Sequence, residues 1–305
     1  MSKNIIKLNK KHYKKKGGTK YFINCSDIDL EKDSILLEKS LKNQNDISII
    51  KAVINYKKHV KKNKHIVIKI AHNDRTNKKE YDISKTLQQI NGFIKYICLF
   101  NCFDDTYYYI NDNKKLPDKI CTANNIEQNN NIILIAPYIT GGSIRNYKWN
   151  LENIHILKSL LKQSIMSLTE AYIKFGFLHN DLHLDNILLK KTKIKEIVYD
   201  NATIDTNGYK IIIMDFDSSF IGVDTTKSLQ AYWLNIGNML SRITFDLGHS
   251  ILPDTPDDKI NYFIRYAIHN NLDSSESIRL LHLIDDLNFT LATSFIVPTY
   301  NPNII

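Results

Sequence analysis

The stretch "LHNDLHLDNILL", residues 178–189, sets two His, two Asp and two Asn into a run that is otherwise Leu and Ile. A strand buried on both faces would not tolerate so many polar side chains without partners. A solvated surface loop would not need the apolar frame. The alternation predicts a polar loop clamped on each side by hydrophobic anchors, with its ligand-type side chains turned toward chemistry.

Phosphoryl transfer fits that set of groups. It needs a carboxylate to orient the acceptor hydroxyl, hard oxygen ligands for Mg²⁺, and a cation for the nucleotide phosphates. Asp181 and Asn186 are five residues apart, so a loop pinned at Leu182 and Ile187 can aim both at one site. Asp215 follows the apolar run "IIIM" (211–214) and precedes Phe216, at a strand end beside a hydrophobic plug. Lys69 lies inside the β-branched "HIVIKIA" (65–71), where an ammonium group requires a carboxylate if its head is buried. Glu80, in the helical "KEYDISKTLQQI" (79–90), is the natural partner.

With these residues in place, the chain resembles the protein-kinase-like superfamily. "VIKIA" (67–71) resembles the Lys motif of the third strand, "HNDLHLDN" (179–186) the catalytic loop H-R-D-L-x-x-x-N, and "MDFD" (214–217) the D-F-G motif. "LIAPYITGGSI" (134–144) resembles the hinge that leads into the helical lobe, and "NGFIKYICLF" (91–100) the link from the Glu-bearing helix to the fourth strand. The motifs occur in family order. The resemblance implies an α+β, two-lobed kinase-like fold with a strand-rich N-lobe and a helical C-lobe. It implies Asp181 as catalytic base, Asn186 and Asp215 as Mg²⁺ ligands, Lys69 on the α- and β-phosphates of ATP with Glu80 positioning it, and the Ile139 backbone against adenine. Ala136 falls at the gatekeeper position.

The departures carry information too. Asn180 stands where many kinases have the Arg that grips a phosphorylated activation loop, and no A-P-E follows. His183 replaces a Lys near the transferring phosphate, and Asp217 replaces the Gly of D-F-G. "DLHLDN" and the short segment between Asp215 and Tyr232 resemble the aminoglycoside and choline kinase branch. The Asp that anchors the catalytic loop from the long central helix is missing from "AYWLNIGNML" (231–240). No Gly occurs between Gly18 and Lys69, so the Gly-rich phosphate loop is the weakest part of the resemblance, with "KKKGGTKYF" (14–22) the one candidate for a reduced version.

The organisation follows: a basic tail over 1–24, an N-lobe over 25–138 and a C-lobe over 139–305. Residues 30–63 read as charged and mostly helical. Strands are expected at 65–71, over "FIKYICLFNCF" (93–103) and over "NIILIAPYI" (131–139), with a polar loop at 111–131. A long helix spans 153–176 and stops at Gly176. "IKEIVYD" (194–200) and "GYKIIIMDFD" (208–217) are expected to pair as a hairpin, and the last 75 residues to be helical.

Composition limits the partners. The net charge of +9 resides in the tail, where residues 1–20 hold eight Lys and no acid; the remainder has 33 basic and 32 acidic residues. That tail is expected to be solvated or to touch nucleic acid or an acidic surface. Four Cys form no CxxC pair, so neither a zinc site nor a disulfide framework is expected. With no apolar run of 18 residues, no membrane span is expected, and the location is cytoplasmic, of a host or in a virion if the source is viral. The function expected is an ATP- and Mg²⁺-dependent kinase acting on hydroxyls, first of protein Ser/Thr. The alternatives are a small-molecule kinase of the aminoglycoside/choline type, and a pseudokinase that serves as a binding module.

Overall fold

The computed structural model describes residues 34–44, 47–55, 64–71, 75–101, 132–247, 251–253, 258–287 and 289–291. The basic tail, Gly17 and Gly18, the strand "TKYFINC" and the polar loop 111–131 lie outside these residues.

The chain divides into two compact units. The first takes residues 1–82 and 95–138, the second residues 83–94 and 139–305.

Within the first unit, β1 (Ser34–Gln44), β2 (Ile47–Asn55), β3 (Lys64–Ala71), β4 (Cys98–Asn101) and β5 (Ile132–Pro137) form one antiparallel sheet in the order β1-β2-β3-β5-β4. Helix α1 (Arg75–Thr86) follows β3. The expected helical pattern over residues 30–63 is thus corrected to a long hairpin. Ile35, Leu36, Ile50 and Val53 have helix-like spacing, but they pair across strands, Leu36 with Val53 and Ile35 with Ile54. Two register shifts in β1, at Leu37/Lys39 and Ser40/Lys42, disrupt the two-residue alternation that would have announced a strand. The two strands before the Lys69 strand are therefore joined at Asn45-Asp46, and Gly17 and Gly18 fall at least 16 residues before β1 begins. They are not the turn between these two strands.

In β3 the alternation is clean. Ile66, Ile68 and Ile70 are buried on one face, while Val67 and Lys69 stand half-buried on the other. The register sets Lys69 opposite Leu134 and Val67 opposite Ala136. The expected strand from residue 93 shrinks to Cys98–Asn101. Cys98 is fully buried and disulfide-bonded, its partner outside the described residues. That corrects the expectation of no disulfide at this position, because bridging depends on Cα approach and not on a CxxC spacing.

The second unit is built on α2 (Ile154–Phe175), in which Ser159, Gln163, Ser164, Ser167 and Thr169 are as buried as the Leu residues beside them. Those polar groups stitch it to strands: Gln163 donates to the Tyr209 carbonyl at 3.0 Å and accepts from the Ile211 N–H at 3.1 Å, and Ser159 donates to the Asp205 carbonyl. Gly176 ends the helix at φ 57°, and a Cβ there would meet the Val223 carbonyl oxygen at 2.3 Å, so only Gly fits. The strands are β6 (Ile187–Lys191), β7 (Glu196–Val198), β8 (Thr203–Asp205) and β9 (Tyr209–Ile213). β6 pairs with β9, and β7 with β8, which corrects the expected hairpin between "IKEIVYD" and "GYKIIIMDFD". The short β7–β8 hairpin is an excursion that returns the chain so that β9 can lie along β6. Helices α3 (Leu229–Leu247), α4 (Asp258–Asn270) and α5 (Ser277–Asp285), with the small pair β10 (Ile251–Pro253) and β11 (Phe289–Leu291), complete the unit. No helix among the described residues is long and apolar enough to cross a membrane.

Candidate active site

In the first unit, Lys69 leaves the half-buried face of β3 and forms an ion pair with Glu80 on α1. Glu80 is fully buried, so its charge requires that partner. The other carboxylate oxygen accepts from the Tyr96 hydroxyl at 2.8 Å. Buried Asn77, one turn earlier on α1, donates to the Ile132 carbonyl at 2.7 Å and fastens the helix to β5. The spacing of 11 between Lys69 and Glu80 spans only the end of β3 and the first turns of α1. That is enough for contact because the helix begins at residue 75. Tyr138 closes β5 against β3 through its N–H on the His65 carbonyl at 3.2 Å.

In the second unit, the loop after Phe177 is fixed from beneath by rings. Phe93, Phe177, His179 and Phe216 are all buried and meet at centroid distances of 5.4–6.1 Å. His179 bonds the Met214 carbonyl through Nε2 at 3.0 Å. Its Nδ1 is buried without a hydrogen-bond partner. Burial holds the ring below the ordinary His pKa, against the opposing pull of the Met214 carbonyl and the charges of Asp215 and Asp181. A neutral ring carries its proton on Nε2, where it donates to the carbonyl. His179 is therefore a buttress of the loop.

Two side chains then turn upward on strained backbone. Asn180 at φ 63° and Asp215 at φ 69° both occupy the left-handed region that non-glycine residues avoid, at a cost of about 1–3 kcal/mol each. Such strain persists only where surrounding bonds enforce it. Leu178 and Phe220 exchange backbone bonds at 3.0 and 2.8 Å, Ser219 donates to the His179 carbonyl at 3.1 Å, and the Asn180 amide donates to the Ser218 carbonyl at 3.3 Å. These contacts tie the stretch after Asp215 to the loop that carries Asp181.

Asn186, 4% exposed, donates from Nδ2 to the Asp181 carbonyl at 3.0 Å. Its own carbonyl accepts from the Met214 N–H at 2.9 Å, one residue before Asp215. The structure thus brings Asp181, Asn186 and Asp215 onto one small bonded frame in this unit. With Nδ2 spent on Asp181, the Asn186 Oδ1 and the Asp215 carboxylate supply hard oxygen donors of the kind Mg²⁺ takes. Clusters of three or more His, Cys, Asp or Glu suited to a metal are absent among the described residues, so any site here uses the Asn amide oxygen.

Several neighbours had no sequence signal of this kind. On α3, Asn235 donates to Asn180 Oδ1 at 3.0 Å, a neutral contact at the place where the sequence lacks the expected Asp. Arg242, seven residues on, pairs with Asp181. Arg145 pairs with Asp185 at 2.8 Å, so Asp185 is engaged by a cation and is not simply solvated. His183 accepts from the Asp185 N–H at 3.3 Å. Ile139 is 8% exposed, and its carbonyl accepts from the Gly142 N–H at 3.4 Å. Gly141 is required by close packing, since a Cβ there would strike the Leu189 carbonyl oxygen at 2.0 Å. The adjacent Gly142 carbonyl accepts from the Leu189 N–H at 2.8 Å, which holds this turn to β6.

The family described as "Haspin like kinase domain" matches residues 6–245. The serine/threonine-protein kinase haspin of Mus musculus is 35% identical over 97 residues, 30% of this chain and 13% of that protein. The Bos taurus protein of the same name is 33% identical over 93 residues, 29% of this chain and 12% of its own length. An uncharacterized protein, 098R, of Invertebrate iridescent virus 6 is 35% identical over 83 residues, 24% of this chain and 14% of that protein. The matched stretches are thus a small part of the length of these relatives. The family match, by contrast, runs through β3, α1, the hinge-like turn, the catalytic loop and α3 in order, and the chain belongs to the haspin-like kinase domain family.

Proposed function

We propose that this protein is a kinase that transfers the terminal phosphoryl group of ATP to Ser or Thr hydroxyls of proteins. The observation that carries the reading is the bonded frame of Asp181, Asn186 and Asp215, held on strained backbone in a chain of a kinase family. Bound ATP with Mg²⁺ would supply the phosphoryl group and spread the charge of the transition state. Asp181 accepts the hydrogen bond of the acceptor hydroxyl and takes its proton as the new O–P bond forms and the bond to the leaving diphosphate breaks. Asn186 Oδ1 and the Asp215 carboxylate would hold the Mg²⁺ that accompanies ATP. Lys69, kept in place by Glu80, neutralises the α- and β-phosphates, and the Ile139 backbone meets adenine.

Much of the work is positioning, and the chain spends its bonds accordingly. His179 stays neutral and fixes the loop base, while Asn235 fixes its crest. The absence of Gly from the β1–β2 connection places more of the phosphate grip on Lys69 and the metal. Phosphorylation of an activation loop is not the expected control, because Asn180 replaces the Arg that would read it. Acceptors are protein Ser and Thr.

The test is transfer of labelled γ-phosphate from ATP with Mg²⁺ to a general protein mixture, to the chain itself, to small alcohols and to water. Asp181→Asn and Asp215→Ala run alongside. Label on Ser/Thr of protein that disappears in both variants is the expected result. Nucleotide binding at saturation with no transfer to any acceptor would overturn it in favour of a binding module, and transfer to small alcohols alone in favour of a small-molecule kinase.

A further inference from the structure

The chain is sparing with Arg. It has 36 Lys and five Arg, yet two of those five form ion pairs with the two acids of the catalytic loop, Arg242 with Asp181 and Arg145 with Asp185. Each pair is a single contact, Arg242 Nη1 on Asp181 Oδ1 and Arg145 Nε on Asp185 Oδ2 at 2.8 Å, so what each Arg supplies is a cationic donor to one carboxylate oxygen.

The origin of Arg242 adds a second observation. Asn235 and Arg242 are seven residues apart on α3, nearly two full turns, and so share one face of the helix. From that face Asn235 bonds the side chain of Asn180 and Arg242 bonds the carboxylate of Asp181, the very next residue. One helix therefore sets both the crest of the loop and the side chain that follows it. The inner contact is partly buried, with Asn235 7% exposed and Asn180 at the surface; the outer one is open to solvent.

The Arg also distinguishes the two carboxylate oxygens. Arg242 Nη1 binds Oδ1 of Asp181, while Oδ2 lies 3.9 Å from His183 Nε2. On its other side, His183 Nδ1 is 3.8 Å from Asp185 Oδ2, the same oxygen that Arg145 holds. Asp181 Oδ1 is thus committed to α3, and Oδ2 is turned toward the middle of the loop.

We infer that Arg242 is a positioning residue for phosphoryl transfer: it clamps Oδ1 of Asp181 so that Oδ2 is the oxygen presented to the acceptor hydroxyl. The inference rests on the assignment of Asp181 made above. It needs no contact between Arg242 and the nucleotide, and it separates orientation of the base from its charge. A carboxylate free to rotate would present the acceptor with the wrong oxygen or the wrong lone pair for part of the time. The loss then appears in turnover and not in nucleotide affinity, since a misplacement of about 1 Å costs up to roughly 100-fold in rate.

The experiment uses the full chain, ATP with Mg²⁺ and a general Ser/Thr acceptor protein such as casein, with kcat and KM for ATP measured for Arg242→Gln, Arg242→Ala and Arg242→Lys. Thermal stability and equilibrium ATP binding are measured on each. Arg242→Gln and Arg242→Ala should lose roughly 10- to 100-fold in kcat, with KM for ATP and the melting temperature unchanged, and Arg242→Lys should recover most of the loss by restoring a donor to Oδ1. Wild-type kcat in Arg242→Gln overturns the inference. So does a loss of kcat that tracks a fall in melting temperature or ATP binding, or one that Lys does not relieve. Asp181→Asn separates the two levels: if it transfers phosphate at the wild-type rate, the role of Asp181 itself is wrong. If it is inactive while Arg242→Gln turns over at the wild-type rate, only the clamp is wrong.

Discussion

The two units each pair a carboxylate with a cation, and they do so in opposite environments. Glu80 in the first unit has no exposed surface, and its oxygens are taken by Lys69 and Tyr96. Asp181 in the second is 41% exposed at its side chain and pairs with an Arg242 that is 48% exposed. A buried pair is costly to break, because the survivor is left as a charge out of water. An exposed pair contributes about 0–1 kcal/mol and leaves nothing stranded. The lesson is that the first station is bound up with the fold, while the second can change with little effect on the fold.

Variants can break that contrast. The largest effect is expected at the exposed station, but in rate only: Asp181→Asn should lower phosphate transfer about 10²–10⁴-fold while the melting temperature stays within error of wild type. A large stability loss there would erase the distinction. At the buried station, Lys69→Ala should lower transfer by less than Asp181→Asn does and also cost about 3–5 kcal/mol in urea unfolding. The double variant Lys69→Met with Glu80→Leu should recover most of that stability and none of the activity. Tyr96→Phe, which removes one bond to a charged buried group, should cost about 1.5–3 kcal/mol. Asn235→Ala should cost about 1 kcal/mol in stability and more in rate, because it frees the crest of the loop.

The smallest effect sharpens the comparison through pH. His179 is held neutral by burial, with its pKa below the ordinary value. As pH falls below about 6.5, the unfolded chain takes up a proton that the folded chain refuses, so stability declines through that window and levels off beneath the folded pKa. Chemical denaturation from pH 7.5 to 5 should show this slope, and His179→Asn should remove its share of it.

The catalytic loop was legible in the sequence because its signal is local. His179, Asp181, Asn186 and the aliphatic residues between them form a pattern that no regular element explains. Lys69 stood out for a related reason, a charge inside a β-branched strand. The β1–β2 hairpin was not legible, since two register shifts in β1 leave its apolar residues at helical spacing. The pairing of β9 with β6 was not legible either. "IKEIVYD" and "GYKIIIMDFD" are both strand-like, and only tertiary contact selects among partners. Asn235 and Arg242 lie 55 and 61 residues from the side chains they hold, beyond any local pattern. The scarcity of Arg was the one trace of the latter, and it is visible only when the whole composition is compared with the positions of the five.

The way the loop is fastened has a consequence for ionic strength. The loop itself is held by uncharged contacts, His179 on the Met214 carbonyl, Asn186 on the Asp181 carbonyl and Asn235 on the Asn180 side chain. Its two acids are instead steadied by solvent-facing ion pairs, and screening acts most strongly on exposed charges. Added salt should therefore leave the loop in shape while loosening the carboxylates it carries. The molecule should keep its structure in brine and lose its speed.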